Sequence, residues 1–245
     1  RGLHLPPGEE VNLLAEQEQP AAERRRSPRV RPACRERVSR GAYQSCVSRR
    51  YDLADGRYVC FKGEGCMGTH QDQLRGFAKY NGEFNCRLYE QIAGLTDIAR
   101  KEDLGAFFGS IHGTLNHILL ADRIWLGRFA RANPTFRSLA TANLVYEFSS
   151  LDQQLFDSFD ELRVGRRETD ELIYRWVEEL EDAVLAQTMR YNNSKGHVRE
   201  HPVWLAATHM FNHQTHHRGQ LTTLLFQLGY DPGTTDYIAY LPNSR

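Results

Sequence analysis

The chain has 245 residues, of which 40% are hydrophobic and 25% charged, and its formal net charge is zero. This composition is typical of a globular protein, and a neutral chain gives no general indication of a nucleic-acid or anionic-membrane partner. No apolar run approaches the roughly 20 residues of a membrane-spanning helix, and there is no charged-then-apolar signal pattern near the N-terminus. A cytoplasmic location without membrane contact is therefore predicted.

Residues 1–66 differ in character from the rest of the chain. They are rich in Arg, lack a sustained apolar run at helical or strand spacing, and contain four of the five cysteines: Cys34, Cys46, Cys60 and Cys66. We predict a disordered extension or a non-native upstream stretch, with Met67 as the native start. The alternative is a small zinc module on the four cysteines, although their spacing contains no C-x-x-C pair.

Helical periodicity begins after Met67. A first segment from about residue 71 to 95 and a second from about 104 to 130 each carry one apolar stripe. Asn133-Pro134 is expected to end the second segment. Cys86, in the first segment, is expected to be a core residue.

The second half of the chain predicts two further helices separated by an irregular region. The third segment covers roughly 151 to 182, with an interruption near Val164-Gly165. Residues 184–200 lose the helical pattern and could form a short hairpin. The fourth segment runs from about 202 to 228, with Gly229 as the residue that follows its C-cap.

Four long amphipathic segments with almost no strand signal predict an all-α fold, a four-helix bundle, over residues 67–245. The connection between the third and fourth helices is long enough to permit a crossover. About 180 residues suit one domain with one core. The turn-rich tail after Gly229 is expected to pack back across the bundle.

The strongest chemical signal is a histidine pair in the fourth segment. His213 and His217 are four residues apart, so both project from one face of the helix. Two imidazoles at this spacing can bind one metal ion, and a third from a facing helix would leave an open coordination position. His117, near the apolar stripe of the second segment, is the candidate third ligand.

Four further residues lie near the three candidate ligands in the sequence. His209 lies one turn before His213 and is either a fourth ligand or a support for the other three. His216 is expected to point elsewhere, and His112 lies about 140° around the helix from His117, too far to share its metal. Asp122 is expected to contact Arg123 or a helix end.

Two histidine-containing stretches resemble one protein family when they are considered together. Residues 109–129 (GSIHGTLNHILLADRIWLGRF) and 209–223 (HMFNHQTHHRGQLTT) are similar to the DinB/YfiT-like family of metal-dependent helical bundles. The likeness covers roughly residues 67–242 and does not extend to residues 1–66.

This resemblance implies a four-helix bundle with an unusual crossover and a divalent ion bound by His117, His213 and His217. It also implies a homodimer. Some relatives are similar to S-transferases that use low-molecular-weight bacterial thiols, and others are linked to DNA damage. The ion would be Zn, Ni, Cu or Fe, because three imidazoles suit each of them.

Three functions follow as hypotheses. The first is an enzyme on an unknown small-molecule substrate, in which the ion activates a water or a small thiol, so that the protein is a hydrolase or a thiol S-transferase. The second is a non-catalytic metal-binding protein of the stress or damage response. The third is nucleic-acid binding, which the small basic excess of residues 1–66 supports weakly.

Overall fold

The computed structural model describes residues 47–52, 57–62 and 69–241, and these residues are mostly helical, as predicted. They contain six α-helices: α1 (His70–Ala93), α2 (Asp97–Lys101), α3 (Ile111–Ala132), α4 (Phe159–Glu178), α5 (Asp182–Leu185) and α6 (Val203–Gln227). None of the helices in this part of the chain combines the length and the apolar character needed to cross a membrane.

Two antiparallel hairpins accompany the helices. β1 (Val47–Asp52) pairs with β2 (Arg57–Lys62), and β3 (Thr188–Asn192) pairs with β4 (Val198–Pro202). The second hairpin confirms the prediction for the region before the last helix. The first lies where no regular element was predicted, and the suggested zinc module on the N-terminal cysteines lies outside the described side chains.

Side chains that precede α1, α3 and α4 determine where these helices begin. Thr69 accepts a hydrogen bond from the backbone N–H of Asp72, and the Asp72 carboxylate accepts one from the backbone N–H of Thr69. Ser110 and Ser158 accept comparable bonds at the starts of α3 and α4. Each such cap typically stabilises a helix by about 1 kcal/mol, because it satisfies an amide that has no partner within the helix.

The four long helices contact one another through their apolar faces. α1 packs against α4 and α6, and α3 packs against the same two helices. Trp176 of α4 and Phe129 of α3 are fully buried, with ring centroids 4.5 Å apart. The contact between α3 and α6 matters most for function, because both helices carry the candidate ligands.

The helix α3 begins seven residues later than predicted. The predicted start at residue 104 is wrong because residues 104–109 form a tight turn, in which the Leu104 N–H donates to the Gly109 carbonyl. Gly105 and Gly109 have φ angles of 67° and 71°, a region that disfavours other residues and interrupts a helix.

The third long helix, α4, is shorter than predicted and has no interruption. A Cβ on Gly165 would lie 2.8 Å from the Phe156 ring, so this glycine permits close packing within a continuous helix. Residues 151–158, predicted as helix, instead form an irregular segment that is attached to α3. The Asn116 side-chain oxygen accepts the backbone N–H groups of Leu155 and Phe156 at 2.9 and 3.0 Å.

The C-terminal tail packs on α1, as predicted. Gly229 has a φ of 83°, which suits the residue after the end of α6. The Tyr80 hydroxyl then donates to the Thr235 carbonyl at 2.7 Å, and the Tyr237 ring lies 5.3 Å from the Tyr80 ring.

Cys86 does not lie in the core. The prediction of a core residue is wrong, because Cys86 is exposed on α1. The adjacent Asn85 occupies the buried face of the helix at this level.

Candidate metal centre

Two helices bring three histidines together. His117 projects from α3, and His213 and His217 project from successive turns of α6. The Nε2 atom of His213 lies 3.2 Å from that of His117 and 3.0 Å from that of His217. Among the described residues that can bind metals, these three form a group whose potential ligand atoms all lie within 4.8 Å of one another.

The opposite ring nitrogens of two of these histidines are held by hydrogen bonds. The Nδ1–H of His117 donates to the Leu151 carbonyl at 2.7 Å, and that of His217 donates to the Gln220 side-chain oxygen at 2.7 Å. A proton on Nδ1 leaves a lone pair on Nε2. The Nε2 lone pairs of His117 and His217 therefore point toward His213, as metal ligands held by outer partners usually do.

The imidazole nitrogens and the distances between them are suitable for binding a divalent ion. His213 has at most one Nε2 hydrogen, so it can satisfy only one of the two lone pairs that face it. Two Zn–N bonds of about 2.0–2.1 Å at a tetrahedral angle place their nitrogens about 3.4 Å apart, close to the observed separations. A cation between the three rings would satisfy all three nitrogens.

Burial keeps the three imidazoles neutral at neutral pH. Burial lowers the pKa of His117 to about 4 and, with the charges of His217 and His117, that of His213 to about 3. The pKa of His217 is also lowered, again chiefly by burial. Neutral imidazole is the form that binds metals, so the ligands are available without competition from protons.

The lowered pKa values predict that the metal-free protein loses stability as the pH falls. The unfolded chain binds a proton on His117 near pH 6.5, whereas the folded protein resists protonation down to about pH 4, so acid favours the unfolded state. Between pH 7 and pH 5, His117 alone should reduce the free energy of unfolding by about 2 kcal/mol. Urea unfolding at both pH values with a chelator measures this loss.

The control for this pH effect is an exposed histidine of the β3–β4 turn. The variant His117→Gln should lose about 2 kcal/mol less stability than wild type between pH 7 and pH 5, because His213 and His217 still resist protonation, whereas His197→Gln should lose as much as wild type. An equal loss of stability in wild type and in His117→Gln would show that another group is responsible.

One side of the centre is closed by an aromatic ring. The Phe108 ring stacks on His117 with centroids 3.7 Å apart and planes 17° apart, and it meets the edge of His217 at 5.5 Å. Phe108 belongs to the glycine-containing turn before α3. It therefore shields the imidazoles from water on this side.

The other side of the centre opens into a cavity of about 320 Å³. His117 and His213 line one end, and the cavity continues along α3 past Trp125 to Arg128. Tyr191 of the β3–β4 hairpin also lines the cavity. A ligand position directed into this cavity would be accessible to a small molecule.

The other histidines lie outside the three-histidine group. The His209 ring is 6.3 Å from the His213 ring and borders the cavity, so the structure favours a supporting role over a fourth ligand. His216 is exposed and does not belong to the group, although its ring lies 4.8 Å from that of His217. His112 is buried and places its Nε2 3.0 Å from the Phe156 carbonyl, which agrees with its predicted exclusion from the group.

Asp122 has different partners from those predicted. It is fully buried and lies next to the Arg166 guanidinium and the Gln214 amide, which donates to its carboxylate at 2.6 Å. The predicted contact with Arg123 or a helix end is wrong, because successive helix residues differ by about 100° and Arg123 faces Thr169 instead.

Asp122 is part of a polar network that joins the four long helices. Arg166 also lies 2.8 Å from Asp170, whose carboxylate accepts hydrogen bonds from Asn81 and Asn85 at 2.9 and 3.1 Å. Arg218 donates to Asn81. Gln214 and Arg218 directly follow His213 and His217 in the sequence, so α6 carries the two histidines on one side and these two network residues on the adjacent side.

Several residues of the site were not predicted from sequence. Trp125 and Arg128 lie eight and eleven residues after His117, so helical spacing places them on its face of α3 and could have identified them. Phe108 and Tyr191 come from a turn and a hairpin. No periodic signal predicts which residues of such segments face a site.

Comparison with known proteins identifies the family of this chain. The model of the DinB family matches residues 67–244, which include all three histidines. The chain is also similar to protein DinB of Bacillus subtilis (strain 168), with 27% identity over 163 residues that cover 66% of this chain and 90% of that protein.

Proposed function

Because this chain belongs to the DinB family, as its two histidine motifs predicted, we propose that it is a metal-dependent enzyme. His117, His213 and His217 would bind one divalent ion. The reaction would activate a water or a small thiol toward a small-molecule substrate, so that the protein acts as a hydrolase or a thiol S-transferase.

The convergence of three imidazole nitrogens is the observation that carries this proposal. The Nε2 atom of His213 lies 3.2 Å from that of His117 and 3.0 Å from that of His217, and hydrogen bonds to Leu151 and Gln220 orient these two rings. Three histidine ligands are typical of catalytic sites, which retain an open position, whereas structural sites usually have four protein ligands.

The surroundings of the three histidines support chemistry rather than structure alone. When bound, a divalent ion supplies Lewis acidity that lowers the pKa of a water or thiol. His209 borders the same cavity, and burial followed by the charges of Arg128 and His201 lowers its pKa, so its ring is neutral at neutral pH and offers a hydrogen-bonding group beside the site. Phe108 excludes water from the opposite side.

The second candidate is a non-catalytic metal-binding protein of the stress or damage response. One observation favours it: no Asp or Glu is among the described residues that line the cavity. An ion held by His117 and the α6 pair would then serve to join α3 to α6. Three imidazoles suit Zn, Ni, Cu or Fe, and the donor set does not choose among them.

The same family assignment supports a proposal for architecture and assembly. We propose that α1, α3, α4 and α6 form a four-helix bundle with a long crossover between α4 and α6. The pairwise contacts of these helices support it. The homodimer implied by the family likeness remains a proposal.

Metal analysis and product detection test the proposed enzyme. The full chain, purified without added metal, should contain close to one equivalent of a divalent metal. The protein should then convert either an activated ester to its acid or a small thiol and an alkyl halide to a thioether, with release of halide. Mass spectrometry identifies both products. A protein that retains metal but converts neither the ester nor the thiol with the alkyl halide supports the non-catalytic alternative. A protein that retains no metal contradicts both candidate functions.

A further inference from the structure

We propose that the substrate carries an oxyanion, a carboxylate or a phosphate, and that Arg128 binds it at the end of the cavity remote from the three histidines. This inference names the substrate class of the metal-dependent site and therefore rests on the proposed function. It follows from the position of Arg128, from the charge of the cavity wall and from the length of the cavity.

Two aromatic rings hold the Arg128 guanidinium in the cavity. Its Cζ lies 4.5 Å from the centroid of the Trp125 ring and 5.1 Å from that of the Tyr191 ring, and these two rings are in edge contact at 5.1 Å. Rings on two elements thus fix the planar group, which makes it ready to receive a planar or trigonal oxyanion by two parallel hydrogen bonds.

Arg128 has no acidic partner among the described residues. Arg166 and Arg75, which are also partly or fully buried, each lie within 3.0 Å of a carboxylate. For Arg128, no carboxylate in residues 69–241 lies within ion-pair distance, and contacts with aromatic faces replace it. A partly buried guanidinium loses hydration energy, and contacts with aromatic rings offset only part of this loss. A bound anion would offset the rest.

The other residues that line the cavity also favour an anionic ligand. Arg199 and His201 of β4 line the cavity near Arg128, and Asn193 and Ser194 add neutral hydrogen-bonding groups. Among the described residues, the wall contains two arginines and no carboxylate. A concave wall of this composition favours anions over neutral or cationic ligands.

The spacing along α3 requires a ligand that reaches both ends of the cavity. The Cα atoms of His117 and Arg128 are about 16 Å apart along the helix axis, and the arginine side chain leans back toward the N-terminus and shortens this span. The cavity volume of about 320 Å³ is sufficient for a small metabolite. The reacting group would lie at the histidines and the oxyanion at Arg128.

The test compares acidic and uncharged thiols on cobalt-loaded full-length protein. Binding of 6-mercaptohexanoate, 6-mercaptohexyl phosphate and 6-mercaptohexanol is followed by the thiolate-to-cobalt absorption. We expect at least one acidic thiol to bind about tenfold more tightly than the alcohol, because a guanidinium–oxyanion bond is a charge-assisted one. The tighter of the two acids identifies the oxyanion. Equal affinities for all three thiols would overturn the proposal.

Variants assign the preference to Arg128. It should disappear in Arg128→Gln, persist in part in Arg128→Lys, and remain in Arg190→Gln, which removes an exposed arginine of the β3–β4 hairpin that does not line the cavity. A preference that survives Arg128→Gln would overturn the assignment. If Arg128→Gln does not fold, the comparison of the three thiols on the wild-type protein and on Arg128→Lys still tests the proposal.

Failure of the proposed function has a separate signature. A protein that takes up no cobalt contradicts the metal-dependent reaction, and one that takes up cobalt but shows no thiolate absorption with any probe contradicts its thiol-transfer form. The oxyanion site is then tested on metal-free protein by calorimetric titration with hexanoate and hexanol. Tighter binding of hexanoate in wild type than in Arg128→Gln would support the site, and equal heats would overturn it.

Discussion

Replacing His213 with alanine should remove the bound divalent metal while the fold is retained. His213 is the shared neighbour of the other two ligands, with its Nε2 within 3.2 Å of both. Its loss leaves two imidazoles on different helices, so we expect metal affinity to fall by at least about 100-fold, more than is typical for the loss of an outer partner. Elemental analysis after dialysis measures the metal, and circular dichroism reports the fold.

The matched control is His216→Ala, which makes the same change at an exposed neighbour on α6. It should retain close to one equivalent of metal. The variant His117→Ala should behave like His213→Ala, because the ion needs ligands from both α3 and α6. If either ligand variant lost helical content as well as metal, the ion would be structural and the enzyme proposal would be weakened.

Replacing Arg166 with methionine should destabilise the protein by about 3–5 kcal/mol, as is typical when one partner of a buried ion pair is removed. Arg166 is 2% exposed and contacts both Asp122 and Asp170. Methionine occupies much of the same volume, so the loss reports the two uncompensated carboxylates rather than a large cavity. Urea unfolding at neutral pH measures the change in free energy.

An exposed arginine of the same helix provides the control for this loss. Arg163 pairs with Asp160 at the surface, and Arg163→Met should change stability by less than about 1 kcal/mol. A similar, small effect in Arg166→Met would mean that the network contributes little. Burial raises the pKa of Asp122 and of Asp170, so in Arg166→Met these carboxyls should bind protons more readily and acid should recover part of the lost stability.

Much of the helical architecture could be predicted from apolar periodicity, but several boundaries could not. The last helix was predicted to within about one residue at each end, because its apolar pattern is continuous and Gly229 follows its C-cap. The start of α3 was missed because two glycines with positive φ form a turn inside an apolar stretch. Residues 151–158 were assigned to a helix because their bonds to Asn116, on another element, are not visible in local sequence.

The sequence alone identified the three candidate metal ligands and the helices that carry them. The i, i+4 spacing of His213 and His217 requires both rings to share a face of α6, and the apolar stripe of the second segment indicated His117, in agreement with the family likeness. Helical periodicity indicates on which face of its helix each side chain lies. That information was sufficient to select the three histidines.

Only the tertiary structure decided what surrounds these histidines. The distances between α3 and α6, the Leu151 carbonyl that orients His117, and the cavity that leads to Arg128 depend on how separate elements pack. Asp122 shows the same limit, because its partners Arg166 and Gln214 are more than forty residues away in sequence. Helical geometry determines the relative positions of residues only a few places apart in the sequence. Tertiary packing brings together residues that are far apart in the sequence, and local patterns do not predict those contacts.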